Sequence, residues 1–125
     1  MSRHHDMLNR MFAQQSEFMH LLKEKRNFPE FPVDLLTKQG QKFVKNISHE
    51  CMHELFESVQ LLSDSKDHKN SVSGDFDKDK FLEELADVTH YLIEIFILTG
   101  ISPEQIYEAY MKKGEINNDR INNGY

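Results

Sequence analysis

Two pairs of acidic residues stand at helical spacing in the middle of the chain. One is Glu54 and Glu57 in "ELFE"; the other is Glu84 and Asp87 in "ELAD". Residues three apart on a helix share a face, so each pair would hold two carboxylates side by side. Four carboxylates drawn together repel and raise one another's proton affinity. A divalent cation relieves that repulsion. Mg²⁺, with Mn²⁺ as an alternative, takes oxygen ligands and keeps positions for water or substrate phosphate. A site with four acids can hold two or more such ions and grip a phosphoanhydride. Without a metal, the same spacing describes two solvated acidic helix faces.

The chain ends in "KKGEINNDRINNGY", Lys112 to Tyr125. Lys113, Asn117 and Arg120 follow one another at spacings of four and three, which places them on one helix face. An ammonium, an amide and a guanidinium can all donate to an anion. In a chain of net charge −6 they supply the phosphate-binding half that a metal-dependent pyrophosphatase site needs. A competing pattern is "HECMH", His49 to His53. HExxH places two histidines one turn apart on zinc with Glu50 as base, and Glu83 or Glu84 could be a third ligand. A peptidase also offers a strand edge to its substrate, and no strand pattern is found.

Helices must position these residues. Period-two alternation is almost absent and helical periodicity dominates. A first helix is expected from about Ser2 to Arg26, with Met7, Met11, Phe12, Phe18, Leu21 and Leu22 as its apolar stripe. "NFPEFP" breaks it with two prolines. Asp34 can cap a second helix, in which Gly40 is a weak point, and the pattern resumes with Ile47, Cys51, Leu55, Val59 and Leu62 on one side. Ser63 to Lys80 is polar and reads as a loop. A third helix covers about Asp77 to Thr99, with Phe81, Leu85, Val88 and Leu92 as its apolar side and Gly100 at its C-terminal end. Ser102-Pro103 starts a last helix, serine as cap and proline at the first position. The expectation is one all-α domain over residues 1–125, a bundle of four or five helices.

Composition narrows the function. The chain of 125 residues carries 21 acidic and 15 basic side chains, which argues against a nucleic-acid groove. The most apolar run, Tyr91 to Ile101, is too short to span a bilayer and contains Glu94, so a core helix is expected there and no membrane partner. The single cysteine, Cys51, excludes an internal disulfide framework and fits a cytoplasmic, reducing compartment. Met1 to Met11 is polar, without the apolar core of a signal peptide.

The segment Phe81 to Tyr125 resembles the C-terminal half of the dimeric, all-α dUTPases and the related phage dCTPase-dUTPases, within the MazG-like all-α NTP pyrophosphohydrolases. The family pattern runs ELxDxxHF, an apolar helix, a glycine turn, then YxxKxxxNxxRxxxGY. Here these are Glu84, Leu85, Asp87 and His90, then Tyr110, Lys113, Asn117, Arg120, Gly124 and Tyr125. The ExxE pair of the family is followed by a lysine, which falls on Lys66. The early "MFAQQSEF" looks like the family helix with a base-contacting glutamine, here Gln15.

The resemblance implies a pyrophosphohydrolase that cuts a (d)NTP into monophosphate and pyrophosphate, with dUTP or dCTP favoured. A purine or modified nucleotide, and a catalytically idle helical binding module, are the alternatives. By motif position Glu54, Glu57, Glu84 and Asp87 would hold Mg²⁺, and Glu54 or Glu57 would activate water. Lys66, Lys113, Asn117 and Arg120 would contact phosphates, with the sugar as the alternative for Asn117. Gln15, His90 and Tyr125 would lie near base or sugar. Family sites form between subunits, which implies a homodimer or homotetramer; a phage enzyme of this kind would act in the host cytoplasm. This chain departs from the pattern at Glu94, where the family often has asparagine, at Ile121, where it has glutamine, and at Lys66-Asp67-His68, which lacks the usual tryptophan.

Overall fold

Capping residues decide where this chain turns. The computed structural model describes residues 7–65 and 76–124, and they form four α-helices: α1 (Met7–Arg26), α2 (Lys38–Val59), α3 (Lys78–Leu98) and α4 (Pro103–Asn122). A 3₁₀ segment, Gln60–Ser65, continues α2. No strand occurs among the described residues, so the fold is the expected all-α bundle. Asp77 caps α3 by accepting from the Lys80 amide at 3.0 Å. Ser102 and Gln105 form a reciprocal capping box at the start of α4, with Pro103 in the first turn; two otherwise orphaned amides are thereby satisfied. Gly100 ends the α3 turn at φ +77°, a conformation that glycine adopts without strain.

Two boundaries differ from expectation, and one lies beyond what the structure describes. The N-terminal residues before Met7, including the expected helix start at Ser2, lie outside the described residues. Thr37, not Asp34, caps α2: its hydroxyl accepts from the Gly40 amide at 3.0 Å. Asp34 instead organises the turn before it, accepting from the Leu36 amide at 2.9 Å and from the Thr37 hydroxyl through its carbonyl at 2.7 Å. Gly40 is therefore not a break in a helix. It sits in the first turn of α2, where a Cβ would fall directly against the Asp34 carbonyl. The expected loop from Ser63 to Lys80 is shortened at both ends, by the 3₁₀ segment and by the start of α3.

α3 is the central element and packs on both α2 and α1. Phe12 of α1 stacks parallel to Phe96 of α3 with centroids 6.0 Å apart, and Met19 and Leu98 are completely buried. The α1–α2 connector is tied to the end of α3 by the Val33 amide on the Leu98 carbonyl, at 2.8 Å. Phe28 in that connector meets Phe43 of α2 edge-on at 5.3 Å. The face that α1 turns inward is Phe12, Gln15 and Met19. This corrects the expected stripe: Met7, Met11, Phe18 and Leu21 are exposed. On α2, Leu55 and Val59 are likewise exposed, as are Leu62 beyond it and Leu92 of α3. α4 packs lightly against α1 and buries none of its residues. Among the described residues no single helix is long and apolar enough to cross a membrane.

Candidate active site

α2 and α3 lie antiparallel, so residues later in α2 face residues earlier in α3. The Cys51 thiol reaches the Val88 carbonyl at 3.7 Å, and burial pushes that thiol's pKa up, which lowers its thiolate fraction. One turn further along α2, Glu54 comes to Glu84 and Asp87: carboxylate oxygens of the three lie within 4.8 Å of one another. Ser58, fully buried, donates back to the Glu54 carbonyl at 2.9 Å; its small side chain suits the close approach of α2 and α3 here. Glu54 and Glu84 are half-buried and Asp87 is open. Partial burial first, then the charges of Glu57, Asp87 and Glu84, raise the Glu54 pKa, while His53 opposes them. Lys80 relieves part of the charge through a 3.2 Å ion pair with Glu84.

Glu57 stands outside the group of three. Its carboxylate takes the His53 ring nitrogen at 2.9 Å, one turn back on α2. The same contact bears on HExxH. Among the described residues, the group of three close metal-capable side chains includes neither His49 nor His53, and His53 is engaged by Glu57. The donor set that does assemble is all carboxylate, the set that suits a hard cation such as Mg²⁺ or Mn²⁺ and not zinc in a histidine site.

Asp87 also lines an open-mouthed cavity of about 660 Å³ bordered by α1, α2, α3 and the α1–α2 connector. Its apolar walls are Phe18 and Leu22 of α1, Phe28 of the connector and Ile47 of α2; its polar lining comes from Gln14, Gln15, Glu50, His90, Tyr91 and Glu94. On α3 the residues Asp87, His90 and Glu94 follow the helical repeat, so one face runs from the acid cluster into the cavity. Two hydrogen bonds organise its inner end. The Gln15 amide nitrogen donates to Glu94 Oε1 at 3.1 Å, and Gln15 Oε1 lies 3.0 Å from His90 Nδ1. A carboxylate accepts only, so it fixes which end of the Gln15 amide faces it; the amide oxygen then requires a proton on His90 Nδ1. Gln15 and Glu94 are 3% and 5% exposed. Burial raises the Glu94 pKa, with the Gln15 bond working against that rise.

The predicted base-side residues Gln15 and His90 thus share one cavity beside the acid cluster. Lys113, Asn117 and Arg120 are not among the described residues that line the cavity. They lie on the exposed α4, which turns 109° from α3. Lys66 and Tyr125 lie outside the described residues. For the site, the sequence reading weighs Glu50 only as the base of HExxH and Glu94 only as a departure from the family pattern, and gives Tyr91 and Phe28 no role. Glu94 had a signal: it is the one charged residue inside the apolar run "YLIEIFIL". Comparison of the chain with known protein families, with characterised proteins and with solved structures finds no match.

Proposed function

We propose that this chain is a Mg²⁺-dependent pyrophosphohydrolase of deoxynucleoside triphosphates, with dUTP or dCTP as its favoured substrates. The observation that carries the proposal is the sharing of Asp87 between the Glu54–Glu84–Asp87 cluster and the 660 Å³ cavity. A nucleotide needs those two environments side by side: a charged site for its phosphates and an apolar slot with a few polar groups for its ring.

The reaction adds water across the bond between the α- and β-phosphates. The water oxygen bonds to the α-phosphorus, the bridging oxygen leaves with pyrophosphate, and one proton is released. Bound Mg²⁺ or Mn²⁺ would neutralise phosphate charge and acidify water. Glu54, whose proton affinity is raised by burial and by its acidic neighbours, suits the role of proton acceptor. Glu57 beside it is the second candidate, held by His53. Lys113, Asn117 and Arg120 would hold the phosphates that leave.

Those three residues serve the site most simply from a second subunit. Large apolar side chains remain open on α4, with Tyr110 at 74% and Ile121 at 73% exposure, and on α2, with Phe56 at 64%. Such surface is typical of an interface, which supports a homodimer or homotetramer. The test of the function is a panel of deoxynucleoside triphosphates incubated with protein and Mg²⁺. Monophosphate and pyrophosphate are expected; no turnover of any of them defeats the proposal.

A further inference from the structure

We infer that the Glu94 carboxyl is the specificity-determining group of the cavity and selects a nucleobase that carries an exocyclic amino group. The inference rests on the nucleotide reading above and concerns which ring the cavity accepts. Among the described residues, Glu94 is the one ionisable side chain that is more than nine-tenths buried. Gln15 satisfies one carboxylate oxygen. No buried side-chain oxygen or nitrogen among the described residues lacks a partner, so the second oxygen opens to the cavity that Glu94 lines.

The neighbours leave that oxygen in an accepting role. While Glu94 is ionised it accepts only, so Gln15 keeps its amide nitrogen toward it and its oxygen toward His90 Nδ1. Phe18, Leu22 and Phe28 supply apolar surface for a flat ring. A ring seated there with an amino group on this edge donates to Glu94. A ring with a carbonyl at the same place sets acceptor against acceptor beside a carboxylate that is itself only 5% exposed, which is disfavoured. Uracil's single ring N–H is flanked by carbonyls on both sides, so turning the ring does not remove the conflict. An amide at position 94 could rotate to serve either edge; a carboxylate cannot.

The experiment measures binding of non-hydrolysable α,β-imido analogues of dCTP and dUTP by calorimetry, with Mg²⁺, to the wild-type protein and to Glu94→Gln. These two nucleotides differ in the amino or oxo group and the ring nitrogen beside it. The wild type should bind the dCTP analogue about tenfold more tightly or better. Glu94→Gln should collapse or reverse that ratio. Equal binding of both analogues by the wild type, or preference for the dUTP analogue, overturns the inference while leaving the pyrophosphohydrolase reading intact. So does an unchanged ratio in a Glu94→Gln protein whose helical circular dichroism matches the wild type. Absence of binding by either analogue overturns both. The wild-type comparison decides the matter even if the variant does not fold.

Discussion

Gln15 of α1 donates a 3.1 Å hydrogen bond to Glu94 of α3, and both side chains are almost fully buried. Through this contact α1 borders the cavity whose other end is the acid cluster. Gln15 also accepts from His90, so one amide holds two groups of α3 at once. Gln15→Leu should therefore leave a buried carboxyl and an imidazole unpartnered, at a cost of about 1–3 kcal/mol. Chemical denaturation measures this; a variant as stable as the wild type would mean that the network contributes nothing to the fold.

Glu94 gives a pH dependence with a definite sign. Burial raises its folded pKa, the Gln15 bond partly offsetting. The folded protein therefore keeps this proton to higher pH than the unfolded chain does. Stability falls as pH rises from the ordinary glutamate range through the raised folded value, and the loss persists above it. Glu94→Gln removes that share of the slope and should raise Tm at neutral pH. Calorimetry at several pH values tests it, and a wild-type slope retained in the variant contradicts it.

Gly40 makes a purely structural prediction. Its missing Cβ leaves room for the Asp34 carbonyl, so Gly40→Ala must shift the turn that starts α2. A loss of about 1–3 kcal/mol is expected. Alanine at the neighbouring, exposed Gln39 serves as the control and should be nearly neutral. Equal effects at the two positions would show that the close approach does not matter.

The α4 face can be tested by mixing variants. Glu54→Gln and Arg120→Ala should each be inactive alone. If α4 serves the acid site of a partner subunit, co-refolding the two variants should restore about a quarter of wild-type activity, from the mixed dimers that carry one intact site. No recovery, with dimers present by sedimentation, would place both residues in one subunit's site.

Much of this architecture was legible. Asp77, Gly100 and the Ser102-Pro103 pair mark helix ends by their own chemistry, independent of packing, and the structure has them at those ends. The Thr37 cap was not, because Asp34 three residues earlier is an equally good capping residue and only the backbone path decides between them. Spacing tells which residues share a face of one helix, so Glu84 and Asp87 were readable as a pair. It does not tell how that helix is rotated against its neighbour. For that reason Glu57 was indistinguishable from Glu54, and the α1 stripe was misjudged: its inward face has Gln15 at its centre. The Gln15–Glu94 bond joins positions far apart in sequence, and no local pattern announces such a contact.

The acid cluster carries the proposed chemistry, and its variants sharpen any assay. Glu54→Gln and Asp87→Asn should each lower turnover on the order of 100-fold or more, because a neutral amide is a poor Mg²⁺ ligand.

The most direct measurement follows the wild-type protein with dCTP and dUTP in Mg²⁺ by ³¹P NMR. Nucleoside monophosphate and pyrophosphate should appear together in equal amounts, with no reaction when Mg²⁺ is chelated. Orthophosphate as the first product, or intact triphosphate after prolonged incubation with every nucleotide tried, would contradict the pyrophosphohydrolase reading.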